Sequence, residues 1–287
     1  MTSLHSVAGQ ALPAAPLLDA IAGAFVQARL QGASVAGFPG EIPHDLVTAY
    51  LVQDRAIARW PDQVVGWKVG FIGPERRDES GDERLLGPIF ANALQSNDSG
   101  NVGFEIFDGG FGAVEAEFVL RLQADMPDQA QWTPEQAEAL PATLHIGVEI
   151  ASSPLATINK LGPRVVVSDF GNNNGLIMGP EIPDWRQIPE ASLTCRTYID
   201  GELVGSGGAT TLPGGLRAAF AFALSRSAAR GRLLKAGDLI ATGNATGIHE
   251  ISVGQQARIT FDGHGDIVCH ALAATDHEPA PGSGGAP

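Results

Sequence analysis

Gly112-Ala-Val-Glu-Ala-Glu-Phe-Val-Leu-Arg-Leu122 is apolar apart from two glutamates, two positions apart, and one arginine. Read as a strand, it projects residues i and i+2 to the same face, so Glu115 and Glu117 point together. A third glutamate, Glu149, lies in the similarly apolar Ile146-Gly-Val-Glu-Ile150. An ionised carboxylate is costly in such surroundings unless a cation balances it. Three carboxylates brought together need a shared cation, and all-oxygen ligands suit Mg²⁺ or Mn²⁺. The alternative is a solvated strand face, since Glu-x-Glu is common on exposed edges. Spacing alone leaves both readings open.

The chain has 287 residues, 44% hydrophobic and only 17% charged, which is enough apolar material for a sizeable core. A formal net charge of −14 argues against nucleic acid and against anionic membrane surfaces as partners. Cys195 and Cys269 lack the spacing of a zinc site or a redox pair and read as reduced, buried thiols. No apolar run reaches the ~18 residues of a bilayer span. The N-terminal stretch has neither the basic start nor the apolar core of a signal peptide, so a cytoplasmic location is expected.

Apolar residues recur at helical spacing over 16–31 (Leu17, Leu18, Ile21, Phe25, Ala28, Leu30) and again over 43–58 (Leu46, Tyr50, Ile57), with Pro61 ending the second helix. Strand patterns follow at 64–71, 114–122, 144–150, 194–199, 239–241 and 257–261. Asp200-Gly201 is a hairpin turn signal. Residues 134–140 and 215–230 read as helices, and Lys235-Ala-Gly-Asp238 as a turn into a strand. The expected organisation is α+β: a disordered N-terminus (1–15), a helical section (16–62), a β-rich catalytic domain (63–275) and a disordered tail (276–287).

Lys68 sits in Val64-Val-Gly-Trp-Lys-Val-Gly-Phe71. On a strand, Gly66, Lys68 and Gly70 share one face, and the bare glycines would leave room for a ligand beside the lysine. A lysine that snorkels to solvent is the alternative. Asp169 opens a polar segment, Asp169-Phe-Gly-Asn-Asn-Asn-Gly175, between two apolar runs. It reads as a loop, either a plain turn or a run of three asparagines, Asn172, Asn173 and Asn174, whose side-chain amides serve a carboxylate or carbonyl. Thr246, in the Gly-rich Ala241-Thr-Gly-Asn-Ala-Thr-Gly-Ile-His-Glu250, offers a hydroxyl and a backbone N–H to an anion. Gly205-Ser-Gly-Gly208 lacks dinucleotide spacing, and there is no P-loop, no G-x-S-x-G and no H-E-x-x-H.

Gly66-Trp-Lys-Val-Gly70, Glu115-x-Glu117, Val148-Glu149-Ile150, the Asp169 loop and Lys235-Ala-Gly-Asp238 come in an order that resembles the hydratase/decarboxylase branch of the fumarylacetoacetate hydrolase superfamily. The resemblance covers residues 17–271. It implies a mixed β-roll with an N-terminal helical section, and a homo-oligomer. It also implies Mg²⁺ or Mn²⁺ held by Glu115, Glu117 and Glu149, with Lys68 in the catalytic pocket. The implied substrate is a small 2-oxo acid of aromatic catabolism that chelates the metal and reacts through a metal-bound enolate. Asp169, Thr246, His249 and Glu250 are the further catalytic candidates; Gly70, Leu85, Asn172 and Thr246 are the substrate-binding ones.

Departures from the branch bear on the reaction. Hydratases of the branch carry an Asp after the lysine strand, where Arg84-Leu-Leu-Gly-Pro88 places Leu85. An apolar residue does not activate water, so decarboxylation is favoured over hydration. Asp169-Phe-Gly-Asn172 and Gly214-Gly-Leu216 also differ from the branch pattern. His249-Glu250 stands where the branch has apolar residues. Such a pair near a metal would activate water for C–C hydrolysis of an acylpyruvate such as maleylpyruvate or fumarylpyruvate; a solvated loop is the alternative. The expected activity is a lyase, with that hydrolase as the second reading and a non-catalytic 2-oxo acid binder or accessory subunit as the third. Residues 73–84 read as a candidate lid or a simple surface loop.

Overall fold

The computed structural model describes residues 15–276. The segments 1–14 and 277–287, where disordered ends were expected, lie outside the described residues. In chain order the elements are helices α1 (Ala15–Leu30) and α2 (Leu46–Arg59), then strands β1 (Val64–Phe71), β2 (Arg84–Phe90), β3 (Leu94–Ser96), β4 (Asn101–Ile106) and β5 (Phe111–Leu122). Helix α3 (Pro134–Glu138), β6 (Ala142–Ser153), α4 (Ile158–Leu161), α5 (Pro163–Ser168) and β7 (Asn173–Ile182) follow. The chain continues through β8 (Thr194–Ile199), β9 (Glu202–Gly208), α6 (Gly215–Ala229), β10 (Leu239–Ala241), β11 (His249–Glu250), β12 (Gln256–Phe261) and β13 (Gly265–Ala273).

The larger sheet runs β2-β1-β10-β5-β6-β7-β3, with β11 also on β5, and curls into a half-barrel. A second sheet runs β4-β13-β12-β8-β9. Period two along β5 builds the layer between them. Val114, Ala116, Phe118 and Leu120 pack against Phe104, Ile259, Phe261, Ile267 and Cys269 of the second sheet. Each fully buried side chain of that size contributes roughly 1.5–3 kcal/mol of apolar burial. The alternate residues of β5, Glu115, Glu117 and Val119, therefore face the concave side of the half-barrel.

Helix α2 begins where the Asp45 carboxylate accepts the Thr48 N–H at 2.7 Å, a side-chain cap of the first turn. The helical section shares a core with the β-body: Leu18, Ile21, Phe25 and Val52 pack with Phe90, Phe111 and Phe170. Cys195 and Cys269 are free and buried, and burial pushes both thiols up to about 12. Among the described residues no helix is long and apolar enough to cross a membrane.

Two expectations change. The Asp169 segment is a loop only over 169–172. Val165 and Val167 are buried in α5, and Asn173 already begins β7, its amide bonded to Glu149 rather than closing a turn. The glycines flanking Lys68 leave no open space either. At Gly66 a side chain would run into the Leu239 backbone of β10, and at Gly70 into the Leu85 side chain. They permit close strand packing.

Candidate metal centre

Strand register assembles the site. Glu115 lies directly opposite Glu149, and Glu117 opposite Gly147, in the antiparallel pair β5–β6. Lys68 pairs with Ala241 of β10, which pairs with Val119 of β5, so Lys68 shares the concave face with the glutamates. The four side chains are sealed: Lys68 is 5% exposed, Glu115 2%, Glu117 0% and Glu149 1%. The Lys68 Nζ lies 3.1 Å from Glu149 Oε1. One ligand atom from each carboxylate lies within 4.8 Å of the others.

The charge balance is unfavourable as it stands, with three buried carboxylates against one ammonium. Burial, opposed by Lys68 and reinforced by Glu149, pushes the Glu115 carboxyl up to about 7. Burial, then Glu149 and Glu115, holds Glu117 well above the usual carboxylate range. Burial by itself would lower Lys68, but the charges of Glu149 and Glu115 overcome it and hold the ammonium above its ordinary value. Glu117 Oε1 and Glu149 Oε2 are buried with no hydrogen-bond partner. Buried polar atoms are nearly always satisfied, and two orphaned carboxylate oxygens within this triad fit a cation. Mg²⁺ bonds of ~2.1 Å span oxygens up to about 4.2 Å apart, so small side-chain movements close this triad on one ion.

Three neighbours hold the carboxylates in place. Asn173 Nδ2 donates to Glu149 Oε1 at 3.0 Å, and Asn244 hydrogen-bonds Glu115. The Gly243 N–H donates to Glu117 Oε2 at 2.7 Å. Gly243 has φ 114°, and a side chain there would strike Leu212, so only glycine aims this N–H at the carboxylate.

The other candidates divide. Leu85 is buried, and its pairing with Gly70 puts it on the Lys68 face. Asn172 is buried with an unpartnered Oδ1, in a turn whose Phe170 carbonyl packs on Gly87, the residue paired with Lys68. Asp169 lies in a buried pair with Arg29, at 2.6 and 3.0 Å, and accepts a third bond from Ser153 Oγ at 2.6 Å. Its carboxylate is fully used. Thr246 Oγ1 is 2.8 Å from Thr197 Oγ1 of the second sheet. His249 contacts Thr246 through Nε2, and burial lowers its basicity. His249 and Glu250 do not act as a pair on one face: they are consecutive strand residues pointing to opposite faces. His249 pairs with Val114, whose side chain points away from Glu115, and Glu250 is exposed.

Residues 73–84 are tethered. Arg76 donates to the Asn159 carbonyl at 2.6 Å, the Leu46 N–H donates to Asp78 at 2.8 Å, and Arg226 pairs with Asp82. Two cavities of about 730 and 790 Å³ are present, and neither is lined by Lys68 or the three glutamates. Gly243, Asn244 and Arg29 are the residues that sequence reading did not single out, whereas the amide of Asn173, within the asparagine run read as a source of amides for a carboxylate, does reach one. For Arg29 a signal existed, an arginine on the apolar stripe of α1 after Leu18, Ile21 and Phe25.

No family model matches the chain, and no curated protein matches it by sequence. Solved structures do match. A 4-oxalocrotonate decarboxylase from Pseudomonas putida G7, complexed with magnesium and adipate, is 20% identical with a TM-score of 0.77, covering 92% of this chain and 100% of its own. The same enzyme complexed with calcium and acetate is 19% identical with a TM-score of 0.76, at the same coverage. A 5-carboxymethyl-2-hydroxymuconate delta-isomerase from Mycobacterium smegmatis is 17% identical with a TM-score of 0.52, covering 74% of this chain and 80% of its own. The fold is therefore of the fumarylacetoacetate hydrolase type, as the resemblance implied.

Proposed function

We propose that this chain is a Mg²⁺- or Mn²⁺-dependent enzyme acting on a small 2-oxo acid of aromatic catabolism, and that it is a lyase, with decarboxylation favoured. The carrying observation is a sealed triad of carboxylates with Lys68 in contact and the apolar Leu85 on the same face. Bound by Glu115, Glu117 and Glu149, a divalent cation supplies an electrophile for the chelated carboxylate and 2-oxo oxygen of such an acid. Lys68, held charged, pairs with a substrate carboxylate or delivers a proton at C3 or C5. Leu85 offers no proton acceptor and keeps water away from the reacting carbons. A 4-oxalocrotonate decarboxylase that shares this fold over its whole length supports the same choice.

Acylpyruvate hydrolysis draws less support, since the β11 register puts His249 and Glu250 on opposite faces of the strand. A non-catalytic binder has no need of the full set of three glutamates and Lys68. A cytoplasmic homo-oligomer, and a helical section (16–62) followed by a β-rich catalytic domain (63–275), remain parts of the proposal. The test is incubation with Mg²⁺ or Mn²⁺ and a panel of 2-oxo-3-enedioates, 2-hydroxydienoates and acylpyruvates, with products identified by mass. Loss of CO₂ is the expected result. Addition of water or release of pyruvate would replace the decarboxylase reading, and no turnover of any kind would overturn the enzyme reading.

A further inference from the structure

We propose that Arg29 is a positioning residue of the metal centre, acting through Asn173 on Glu149; this rests on the metal-centre reading above. Arg29 comes from α1 in the helical section, and its side chain is 2% exposed. Its donors are all engaged. Nε and Nη2 grip Asp169, Nη2 also reaches the Ser152 carbonyl at 3.0 Å, and Nη1 reaches the Asn173 carbonyl at 3.2 Å and Asn174 Oδ1 at 3.0 Å. One guanidinium thus joins the end of β6 to the start of β7.

The join falls where the backbone is least regular. Phe170, Gly171 and Asn172 have φ of 52°, 66° and 64°, a run that non-glycine residues hold only when the surroundings over-determine it. Arg29 binds the residue before this run, Asp169, and the residue after it, Asn173. The β6–β7 register slips at the same place, between Ile150 and Ala151, with Ala151 opposite Asn173. Such irregularities re-aim side chains. Here the slip directs the Asn173 amide at Glu149 Oε1, 3.0 Å away. A cavity of about 790 Å³ borders Arg29 and Asn173, leaving the turn room to relax once the clamp is lost. Freed from Asn173, the Glu149 carboxylate loses the orientation that presents it to a cation.

The test is Mn²⁺ titration by calorimetry on the full chain, with circular dichroism and thermal melts alongside. Asn173→Ala removes the link itself. Arg29→Met combined with Asp169→Leu removes both buried charges together, which avoids stranding one of them. Both should bind Mn²⁺ about 10- to 100-fold more weakly, the usual range for groups that orient a metal ligand. Arg29→Lys, which keeps the charge but not the fork, should give an intermediate loss. Phe261→Leu, in the core between the sheets, should lower the melting temperature without changing Mn²⁺ affinity. Wild-type affinity in folded Asn173→Ala overturns the inference, whether or not the double variant folds. A wild-type chain that takes up no Mn²⁺ overturns the metal-centre reading and this inference with it.

Discussion

Glu115 and Glu149 stand directly opposite each other on adjacent antiparallel strands, both buried. Like charges in that relationship destabilise a sheet even when water screens them. Lys68, 3.1 Å from Glu149, offsets one of the three carboxylates in the centre and leaves an excess of negative charge. A divalent cation supplies what is missing, and four expectations follow from that imbalance.

The stability of the metal-free chain should run against the usual acid trend. Glu115 is raised from 4.5 to about 7, and Glu117 lies well above its ordinary value. Between about pH 4.5 and 7 the folded chain therefore holds protons that the unfolded chain has released. Stability falls as pH rises through that window. Melting temperatures in EDTA should decline from pH 5 to 7.5 relative to Glu115→Gln, and Mn²⁺ should stabilise more at pH 7.5 than at pH 5. A metal-free curve parallel to that of Glu115→Gln would contradict this.

Glu115→Gln should separate stability from metal binding. The amide removes one buried charge at nearly constant shape, so the metal-free protein should melt a few degrees higher, at roughly 2–4 °C per kcal/mol for a chain of this size. The same variant should lose most of the stabilisation that Mn²⁺ gives to the wild type. Thermal melts with and without Mn²⁺ check both halves.

Lys68→Met should do the reverse. Removing the ammonium leaves the carboxylates more negative, so Mn²⁺ binding should persist in calorimetry. Turnover on the 2-oxo acid panel should drop roughly 10²–10⁴-fold, the scale of a lost proton-transfer group. Unchanged turnover would remove Lys68 from the mechanism.

Gly243→Ala tests how the centre is held. Its φ of 114° and the packing of Leu212 leave no place for a methyl group, and its N–H is the donor to Glu117. We expect a loss of about 1–3 kcal/mol in chemical denaturation, together with weaker Mn²⁺ binding. Retention of full affinity would show that the Gly243 N–H is dispensable to the site.

Much of the half-barrel was legible because its strands obey period two. In β5, Val114, Ala116, Phe118 and Leu120 alternate with Glu115, Glu117 and Val119, so those two glutamates could be named from that pattern, and Glu149 from its apolar setting in β6. Strand β2 was not legible: it is buried along its whole length and carries Gly87 and Pro88, so no alternation shows. The proline is tolerated because β2 is an edge strand. The start of β7 was hidden by Asn173-Asn174-Gly175, which read locally as a turn, while their amides bond to partners far away in sequence. In β13, Ile267, Cys269 and Ala271 do alternate with more exposed neighbours, a readable signal carried by small side chains. Among the supports of the centre, the asparagine run was legible as a source of amides for a carboxylate, whereas Gly243 and Asn244 depend on contacts that no local pattern encodes. His249 and Glu250 looked like a pair from adjacency alone, and strand geometry separates them.

The most direct test is a calorimetric titration of the metal-free chain with Mn²⁺, in parallel with Glu117→Gln. The account predicts one Mn²⁺ per wild-type chain and binding abolished or weakened by orders of magnitude in the variant. No uptake by the wild type, or equal uptake by both, would contradict a metal centre built on Glu115, Glu117 and Glu149.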